Sequence, residues 1–259
     1  MTTQSLPRAF GATTPVPRHD DKIALVTGAT RGIGLETVRQ LASAGVHVLL
    51  AGRERNKAVA AALQLQAEGL SVEALALDVA NDDSIALAAR EVADRLGRLD
   101  ILVNNAGVLR DDTARKPSEQ TLATWRETFD TNVFGVVATT NAFLPLLRRA
   151  PAARIVNVSS LLGSIAANTD PRSPIYDVKV PAYNVSKSAV NAWTVQLAHE
   201  LRDTPIKVNA VHPGSVKTDM NAGGALDVVD GARTSVRMAL LAADGPTGGF
   251  VHFEETLPW

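Results

Sequence analysis

A tyrosine and a lysine four positions apart are the residues of this chain best suited to move a proton. Tyr183 and Lys187 lie in a segment, 183–201, whose pattern predicts a helix, so both side chains share one face of it. A lysine ammonium favours the phenolate, and we expect it to lower the pKa of Tyr183 from its ordinary value of about 10. Such a tyrosine can donate a proton to a carbonyl oxygen, or accept one in the reverse reaction.

A Tyr-x-x-x-Lys pair also occurs by chance on helix surfaces, so the surrounding sequence decides between the two interpretations. Three segments with polar or turn-forming residues each follow a short apolar run: 104–107 (Asn-Asn-Ala-Gly), 159–160 (Ser-Ser) and 213–214 (Pro-Gly). If those runs are parallel strands, the segments lie at the carboxyl edge of a sheet, where such sheets bind ligands. The sequence therefore predicts a polar site at that edge.

A glycine-rich turn at 27–34 (Thr-Gly-Ala-Thr-Arg-Gly-Ile-Gly) predicts a nucleotide site. Gly28, Gly32 and Gly34 would let the backbone turn tightly and approach a pyrophosphate, which then lies at the N-terminus of the following helix. Glycines also serve in plain structural turns. Here the apolar run before the turn and the helical pattern after it favour the nucleotide.

The end of the second apolar run, 46–51, distinguishes NADP from NAD. NAD-binding chains place an acid about 20 residues after the glycine turn, where it binds the ribose 2′-hydroxyl. This chain has Gly52 and Arg53 there instead, and Arg31 lies within the turn itself. Two guanidinium groups suit a 2′-phosphate, so we expect NADP(H), with two ordinary surface arginines as the alternative.

Apolar runs and helical patterns alternate from residue 22 to the end of the chain. The runs, which predict strands, are 23–26, 46–51, 72–77, 101–103, 155–158, 208–211 and 250–253. The helical patterns are 34–44, 56–68, 82–96, 121–147, 183–201 and 228–242. Near-continuous apolar strands are typical of a parallel sheet covered on both sides. The predicted fold class is therefore α/β, a single doubly wound parallel sheet with helices on both faces.

Two segments fall outside that alternation. Residues 1–21 carry three prolines and no periodic pattern, so we expect an N-terminal arm followed by one domain at 22–259. Residues 161–181 contain three Pro, two Ser, two Asp and one Asn, and they predict a long irregular loop. A loop of this length inside a compact domain is usually functional.

Composition excludes several classes of protein. The 259 residues contain 26 Lys and Arg against 27 Asp and Glu, so no basic excess would drive nucleic-acid binding. The absence of Cys excludes thiol catalysis and Cys-ligated metals, and the five His show no metal-ligand spacing, so no metal is expected. No apolar run reaches the roughly 18 residues of a membrane span, and the N-terminus lacks a secretory signal pattern. A cytoplasmic protein with no membrane association is expected.

Taken together, these motifs resemble the short-chain dehydrogenase/reductase family, with the greatest likeness to its carbonyl reductases. The resemblance covers about residues 22–259. The motifs that carry it are the turn at 27–34, Asp78, 104–107, Asn132, 157–160, Tyr183 with Lys187, and Pro213 with Gly214. It implies a Rossmann fold and a nicotinamide cofactor.

The resemblance also implies a role for each site residue. Tyr183 would donate the proton, and Ser160 would orient the substrate carbonyl. Lys187 would lower the pKa of Tyr183 and hold the nicotinamide ribose, while Asn132 would keep a water in a proton relay to Lys187. The residues expected to contact NADP(H) are Gly28, Thr30, Arg31, Gly32, Ile33, Arg53, Asp78, Val79, Asn105, Ala106, Gly107, Tyr183, Lys187, Pro213, Gly214, Val216 and Thr218.

The expected activity is the NADPH-dependent reduction of small-molecule ketones or aldehydes to alcohols. Two alternatives stay open: NAD-linked oxidation of a specific secondary alcohol, and a catalytically silent nucleotide-sensing protein on the same fold. The segment 165–181 lies between Ser160 and Tyr183, so we expect it at the mouth of the substrate pocket. A monomer, a homodimer and a homotetramer are all compatible with the sequence.

Overall fold

The computed structural model describes residues 21–259. The predicted N-terminal arm, 1–21, therefore lies outside the described residues except for Asp21, and the boundary at residue 22 stays a prediction.

Among residues 21–259, eight strands form one sheet in the order β3-β2-β1-β4-β5-β6-β7-β8. The strands are β1 (Ile23–Val26), β2 (His47–Gly52), β3 (Val72–Ala76), β4 (Ile101–Asn104), β5 (Arg154–Val158), β6 (Lys207–Val211), β7 (Phe250–His252) and β8 (Glu255–Thr256). Strands β1 to β7 are parallel, which confirms the predicted fold class. The edge strand β8 was not predicted; it runs antiparallel to β7 because the chain reverses at Phe253, whose φ is +45°.

The helices differ from the predicted ones in two places. They are α1 (Gly32–Ser43), α2 (Arg55–Ala67), α3 (Asp82–Leu96), α4 (Leu122–Phe129), α5 (Gly135–Leu147), α6 (Ile165–Thr169), α7 (Pro181–Glu200) and α8 (Val228–Ala239). The long helix predicted at 121–147 is divided by a π-helical stretch, Asp130–Phe134, because apolar periodicity does not detect one extra residue in a turn. The irregular loop predicted at 161–181 contains α6, which Ser164 caps through the N–H of Ala167.

Two apolar layers enclose the sheet, because successive strand residues point to opposite faces. Leu25 and Leu49 pack on one side with Phe143 of α5 and residues of α7. Val26 and Leu50 pack on the other side with residues of α1, α2 and α8. The sheet is thus buried on both faces.

The order of the strands places a crevice at the carboxyl edge. From β1 the chain builds outward to β2 and β3, and then returns to place β4 on the other side of β1. The loops after β1 and β4 diverge at this switch point, which is where doubly wound sheets bind their ligands. The glycine turn follows β1, and Asn104 ends β4, so both predicted segments lie at the crevice.

Candidate active site

Tyr183 and Lys187 lie in the first two turns of α7, beside the carboxyl end of β5. Lys187 is 4% exposed, and its ammonium donates a hydrogen bond to the carbonyl of Val158, the last residue of β5, at 2.8 Å. The same nitrogen lies 5.5 Å from the centroid of the Tyr183 ring. The predicted proximity of the two side chains is therefore present, although the ammonium is hydrogen-bonded to a backbone carbonyl.

Burial sets the proton affinities of both groups. It lowers the pKa of Lys187 from 10.5 to about 8 and raises the pKa of Tyr183 from 10 to about 12, because each charged form loses its hydration. A hydrogen bond with Ser160 acts on the pKa of Tyr183 in the opposite direction but is the smaller effect. The pKa of Tyr183 thus moves upward in this structure, in the opposite direction to the one expected from the spacing of Tyr183 and Lys187, because desolvation of the phenolate is the largest effect on it. At neutral pH the phenol holds its proton.

Ser160 and Ser159 follow β5 but have different surroundings. The hydroxyl oxygen of Ser160 accepts the N–H of Leu162 at 3.2 Å, and its own proton remains available to Tyr183 or to a substrate oxygen. The hydroxyl of Ser159 donates to the side-chain oxygen of Asn191 at 2.6 Å and is buried under α7. Ser160 can therefore act in the site, whereas Ser159 attaches β5 to the helix.

The π-helical stretch directs Asn132 inward, where it is fully buried. Its side-chain oxygen accepts the N–H of Val108 at 2.8 Å, and its side-chain nitrogen donates to the carbonyl of Val108 at 2.8 Å and to the hydroxyl of Ser186 at 3.0 Å. Ser186 in turn donates to the carbonyl of Tyr183 at 2.7 Å. Asn132 thus connects the segment after β4 to the first turn of α7, and its predicted water-holding role stays a prediction.

The glycine turn has the shape that a pyrophosphate requires. Gly28 and Gly32 have φ values of +61° and +57°, which side chains rarely adopt, and a Cβ on Gly34 would lie 2.4 Å from the side-chain nitrogen of Asn105. The first turn of α1, Gly-Ile-Gly-Leu, contains no acid, so its N–H groups and helix dipole favour an anion. The residues present therefore fit the phosphates of a dinucleotide.

The Asn-Asn-Ala-Gly segment connects this turn with the catalytic pair. A Cβ on Gly28 would lie 2.8 Å from the Cα of Ala106, so the segment is packed directly on the turn. At its other end, a Cβ on Gly107 would lie 3.5 Å from the ammonium nitrogen of Lys187 and 3.5 Å from the side-chain oxygen of Asn132. Asn105, Ala106 and Gly107 therefore lie between the proposed phosphate site and the proton donor.

The other residues expected to contact the cofactor also surround the crevice. Asp78 and Val79 follow β3, and the carbonyl of Val79 lies against Gly135 at the start of α5. Pro213 and Gly214 follow β6, and Gly214 has a φ of +91°. Farther along that loop, Val216 packs against α8. Thr218 lies close to the glycine turn: a Cβ on Gly32 would lie 3.7 Å from the Thr218 methyl group.

On the other side of the glycine turn, Thr30 contacts Gly52, the last residue of β2.

Arg31 and Arg53 are both exposed, and each lies near an acid that the sequence analysis did not consider. Arg31 forms an ion pair with Asp219, which belongs to the loop after β6. Arg53 lies 4.0 Å from the carboxylate of Glu54. Their contact with a 2′-phosphate stays a prediction.

Sequence reasoning missed Ser186 and the carbonyl of Val158. Ser186 lies three positions after Tyr183 on the same helical face, so its proximity was available from the spacing. The Val158 carbonyl could not be found in this way, because a backbone atom leaves no signal in the residue type.

Within residues 21–259, no three His, Asp or Glu side chains come together as a metal ion would require. No helix in that part of the chain is long and apolar enough to cross a membrane.

A family model described as short chain dehydrogenase matches residues 22–227. The chain belongs to the short-chain dehydrogenase/reductase family. Short-chain dehydrogenase anuI of Penicillium roqueforti is 40% identical over 225 residues, which cover 84% of this chain and 88% of that protein. The (+)-neomenthol dehydrogenase of Arabidopsis thaliana is 36% identical over 283 residues, covering 88% of this chain and 95% of that protein.

Among solved structures, an NADPH-bound carbonyl reductase from chicken fatty liver superposes with a TM-score of 0.80 at 30% identity, and the match covers 92% of this chain and 99% of that one. Membership of the short-chain dehydrogenase/reductase family makes this chain a short-chain oxidoreductase, and the family uses nicotinamide cofactors.

The buried ammonium predicts an unusual dependence of stability on pH. Below about pH 8 both the folded and the unfolded states carry a charged Lys187, so the full cost of burying the charge is present. Between about 8 and 10.5 only the unfolded state retains the proton, so Lys187 makes stability rise with pH. We expect Lys187→Met to raise the free energy of unfolding by about 3 kcal/mol at neutral pH, and this gain to disappear by about pH 10.5.

Urea unfolding of both proteins across this range measures the effect. Because Tyr183 titrates at the upper end, the same pair is compared in the Tyr183→Phe background. A stability difference that does not change with pH would contradict the assigned cost of burial.

Proposed function

We propose that this oxidoreductase reduces ketones or aldehydes to alcohols with NADPH. The observation that carries the proposal is the arrangement of three side chains: the half-buried phenol of Tyr183 is hydrogen-bonded to Ser160, and its ring centroid lies 5.5 Å from the ammonium nitrogen of Lys187. Desolvation raises the pKa of this phenol to about 12. When bound, the cofactor supplies a hydride to the carbonyl carbon. A group that remains protonated at neutral pH and lies at the carboxyl edge is suited to protonate the carbonyl oxygen.

The side chains of the site divide the remaining work. The hydroxyl of Ser160 donates a hydrogen bond to the substrate oxygen and fixes its position relative to the phenol. Once Tyr183 gives up its proton, the ammonium of Lys187 stabilises the phenolate. Because Lys187 is 4% exposed, its charge is screened less than it would be in solvent. Asn132 holds the segment around Val108 and, through Ser186, the first turn of α7.

The proposed cofactor contacts follow from the crevice. The glycine turn and the N-terminus of α1 would hold the pyrophosphate, and Asp78 and Val79 would line the adenine pocket. Asn105, Ala106 and Gly107 would lie along the dinucleotide, and Val216 and Thr218 would lie near its carboxamide. Pro213 and Gly214 would also contact the cofactor. Arg31 and Arg53 would bind the 2′-phosphate. The likeness to the chicken carbonyl reductase, which was solved with NADPH bound, supports this choice of cofactor.

NAD-linked alcohol oxidation is the second candidate, and one observation favours it. Arg31 is paired with Asp219, and Arg53 lies near Glu54, so part of the positive charge expected to attract a 2′-phosphate is compensated. A silent nucleotide sensor is disfavoured, because binding alone does not need a buried ammonium that costs stability.

The substrate is proposed to be a small carbonyl compound with an apolar body. Leu161, Leu162 and the segment 165–181 follow Ser160, so they would line its pocket. This segment is attached to the rest of the fold, because the N–H of Ala166 donates to the carbonyl of Trp259 at 3.0 Å and Asn168 bonds back to Leu162. The Arabidopsis relative is named a (+)-neomenthol dehydrogenase, which agrees with an alcohol as one of the two compounds that the reaction interconverts.

Removing the phenolic hydroxyl tests the proton donor. Tyr183→Phe keeps the ring and removes the transferable proton, so we expect kcat for ketone reduction to fall at least ~10²-fold with little change in the Kd for NADPH. The free energy of unfolding of the same variant is the control, and it should match that of the wild type closely enough to exclude a general loss of folding. Near-normal turnover by Tyr183→Phe would refute the assignment.

Replacing the two arginines tests the cofactor. Arg31→Ala and Arg53→Ala should each lower kcat/KM with NADPH by roughly tenfold, mainly through KM, and change kcat/KM with NADH little. An acid introduced at Gly52 is a poorer test, because its Cβ would lie 2.5 Å from the methyl group of Thr30. A wild-type enzyme that prefers NADH would show that the cofactor is NAD and that both arginines are ordinary surface charges.

A further inference from the structure

The helix that carries Tyr183 and Lys187 is capped by a carboxylate from a distant part of the chain. Both oxygens of Asp111 accept backbone hydrogen bonds at the start of α7, from the N–H of Ala182 at 2.8 Å and from the N–H of Tyr183 at 3.0 Å. Asp111 is 8% exposed and lies 72 residues before Tyr183. We propose that Asp111 is a positioning residue that sets where the phenol of Tyr183 lies, an inference that rests on the proposed function of Tyr183 as the proton donor.

The hydrogen-bond donors at the start of α7 show that the helix depends on this carboxylate. The N-cap residue, Val180, has no polar side-chain atom, and the first helical residue, Pro181, has no N–H to satisfy. Ala182 and Tyr183 therefore carry the first two unpaired donors, and Asp111 accepts from both. The next donor, Asn184, bonds to the carbonyl of Val180 at 2.8 Å within the helix.

The segment that ends at Asp111 is fixed at two other points. At its beginning, the N–H groups of Asn105 and Ala106 both donate to the hydroxyl of Thr27, at 3.0 Å each, which attaches the segment to the glycine turn. In its middle, Val108 makes two 2.8 Å hydrogen bonds with Asn132. The segment 105–111 therefore runs from the proposed phosphate site to the backbone of Tyr183, and it sets the distance between them.

Proton transfer makes this distance important. A displacement of about 1 Å between reacting groups can reduce a rate by ~10²-fold even when binding is unaffected. Without Asp111 the first turn of α7 would lose two hydrogen bonds and the favourable interaction of a carboxylate with the helix dipole. Because Tyr183 lies in that turn of α7, the loss of Asp111 would displace its phenol more than it displaces the glycine turn.

Two substitutions at Asp111 and one elsewhere test the proposal. Asp111→Asn keeps one acceptor, and Asp111→Ala removes both. The matched control is Asp100→Asn, because Asp100 is also a buried carboxylate that accepts a backbone N–H, from Ile23 at 2.9 Å, but lies at the amino edge of the sheet. Each variant is measured for unfolding free energy, Kd for NADPH, kcat and KM with a ketone, and hydrogen exchange of the peptide containing Ala182 and Tyr183.

We expect kcat to fall ~10-fold in Asp111→Asn and ~10²-fold in Asp111→Ala, with the Kd for NADPH changed less than ~3-fold. The peptide containing Ala182 and Tyr183 should exchange faster in Asp111→Ala, and Asp100→Asn should lose stability while keeping its kcat. Slow exchange and a normal kcat in Asp111→Ala would overturn the proposal, as would an equal loss of kcat in Asp100→Asn. If Tyr183→Phe remains active, the proton donor is wrong; if only Asp111→Ala remains active, the positioning role alone is wrong.

Discussion

The contact between the ammonium of Lys187 and the carbonyl of Val158 is the interaction on which the site depends. A charged group taken out of water is costly, and this one hydrogen bond of 2.8 Å compensates part of the cost at the end of β5. Other contacts hold α7 against the same strand. Asn157 donates to the hydroxyl of Thr194 at 2.9 Å, Ser159 bonds to Asn191, and Gly163 leaves no room for a Cβ beside the backbone of Lys187.

The same burial accounts for the chemistry we assign to the site. In low-dielectric surroundings the phenol of Tyr183 keeps its proton and the ammonium of Lys187 releases its proton more readily, so the two pKa values move apart. These pKa values suit Tyr183 as a proton donor, because its phenolate then forms only when a substrate oxygen takes up the proton. The electrostatic stabilisation is then present before the reaction and requires no rearrangement of solvent.

Much of this arrangement was predictable, because it depends on local patterns. Alternating apolar runs and helical patterns predicted strands β1 to β7 and a parallel sheet, and the spacing of Tyr183 and Lys187 placed them on one helical face. The features that could not be predicted depend on long-range contacts. The pKa shift of Tyr183 follows from the desolvation of its phenol by neighbours that are distant in the chain. The π-helical turn at Asn132 adds one residue that periodicity does not register, and the cap from Asp111 joins residues far apart in the chain.

The ionisation of Tyr183 tests the central claim, that burial outweighs the neighbouring lysine. Tyr183 and Tyr176 are the two tyrosines of the chain, so Tyr176→Phe leaves the ultraviolet absorbance of the phenolate as a direct measure of Tyr183. In an alkaline titration of this folded variant, we predict almost no phenolate at about pH 10, where an ordinary tyrosine is half ionised, and a pKa near 12. The same protein unfolded in urea should ionise near 10. A folded-state pKa of 10 or below would show that Lys187 controls the phenol and would contradict the account.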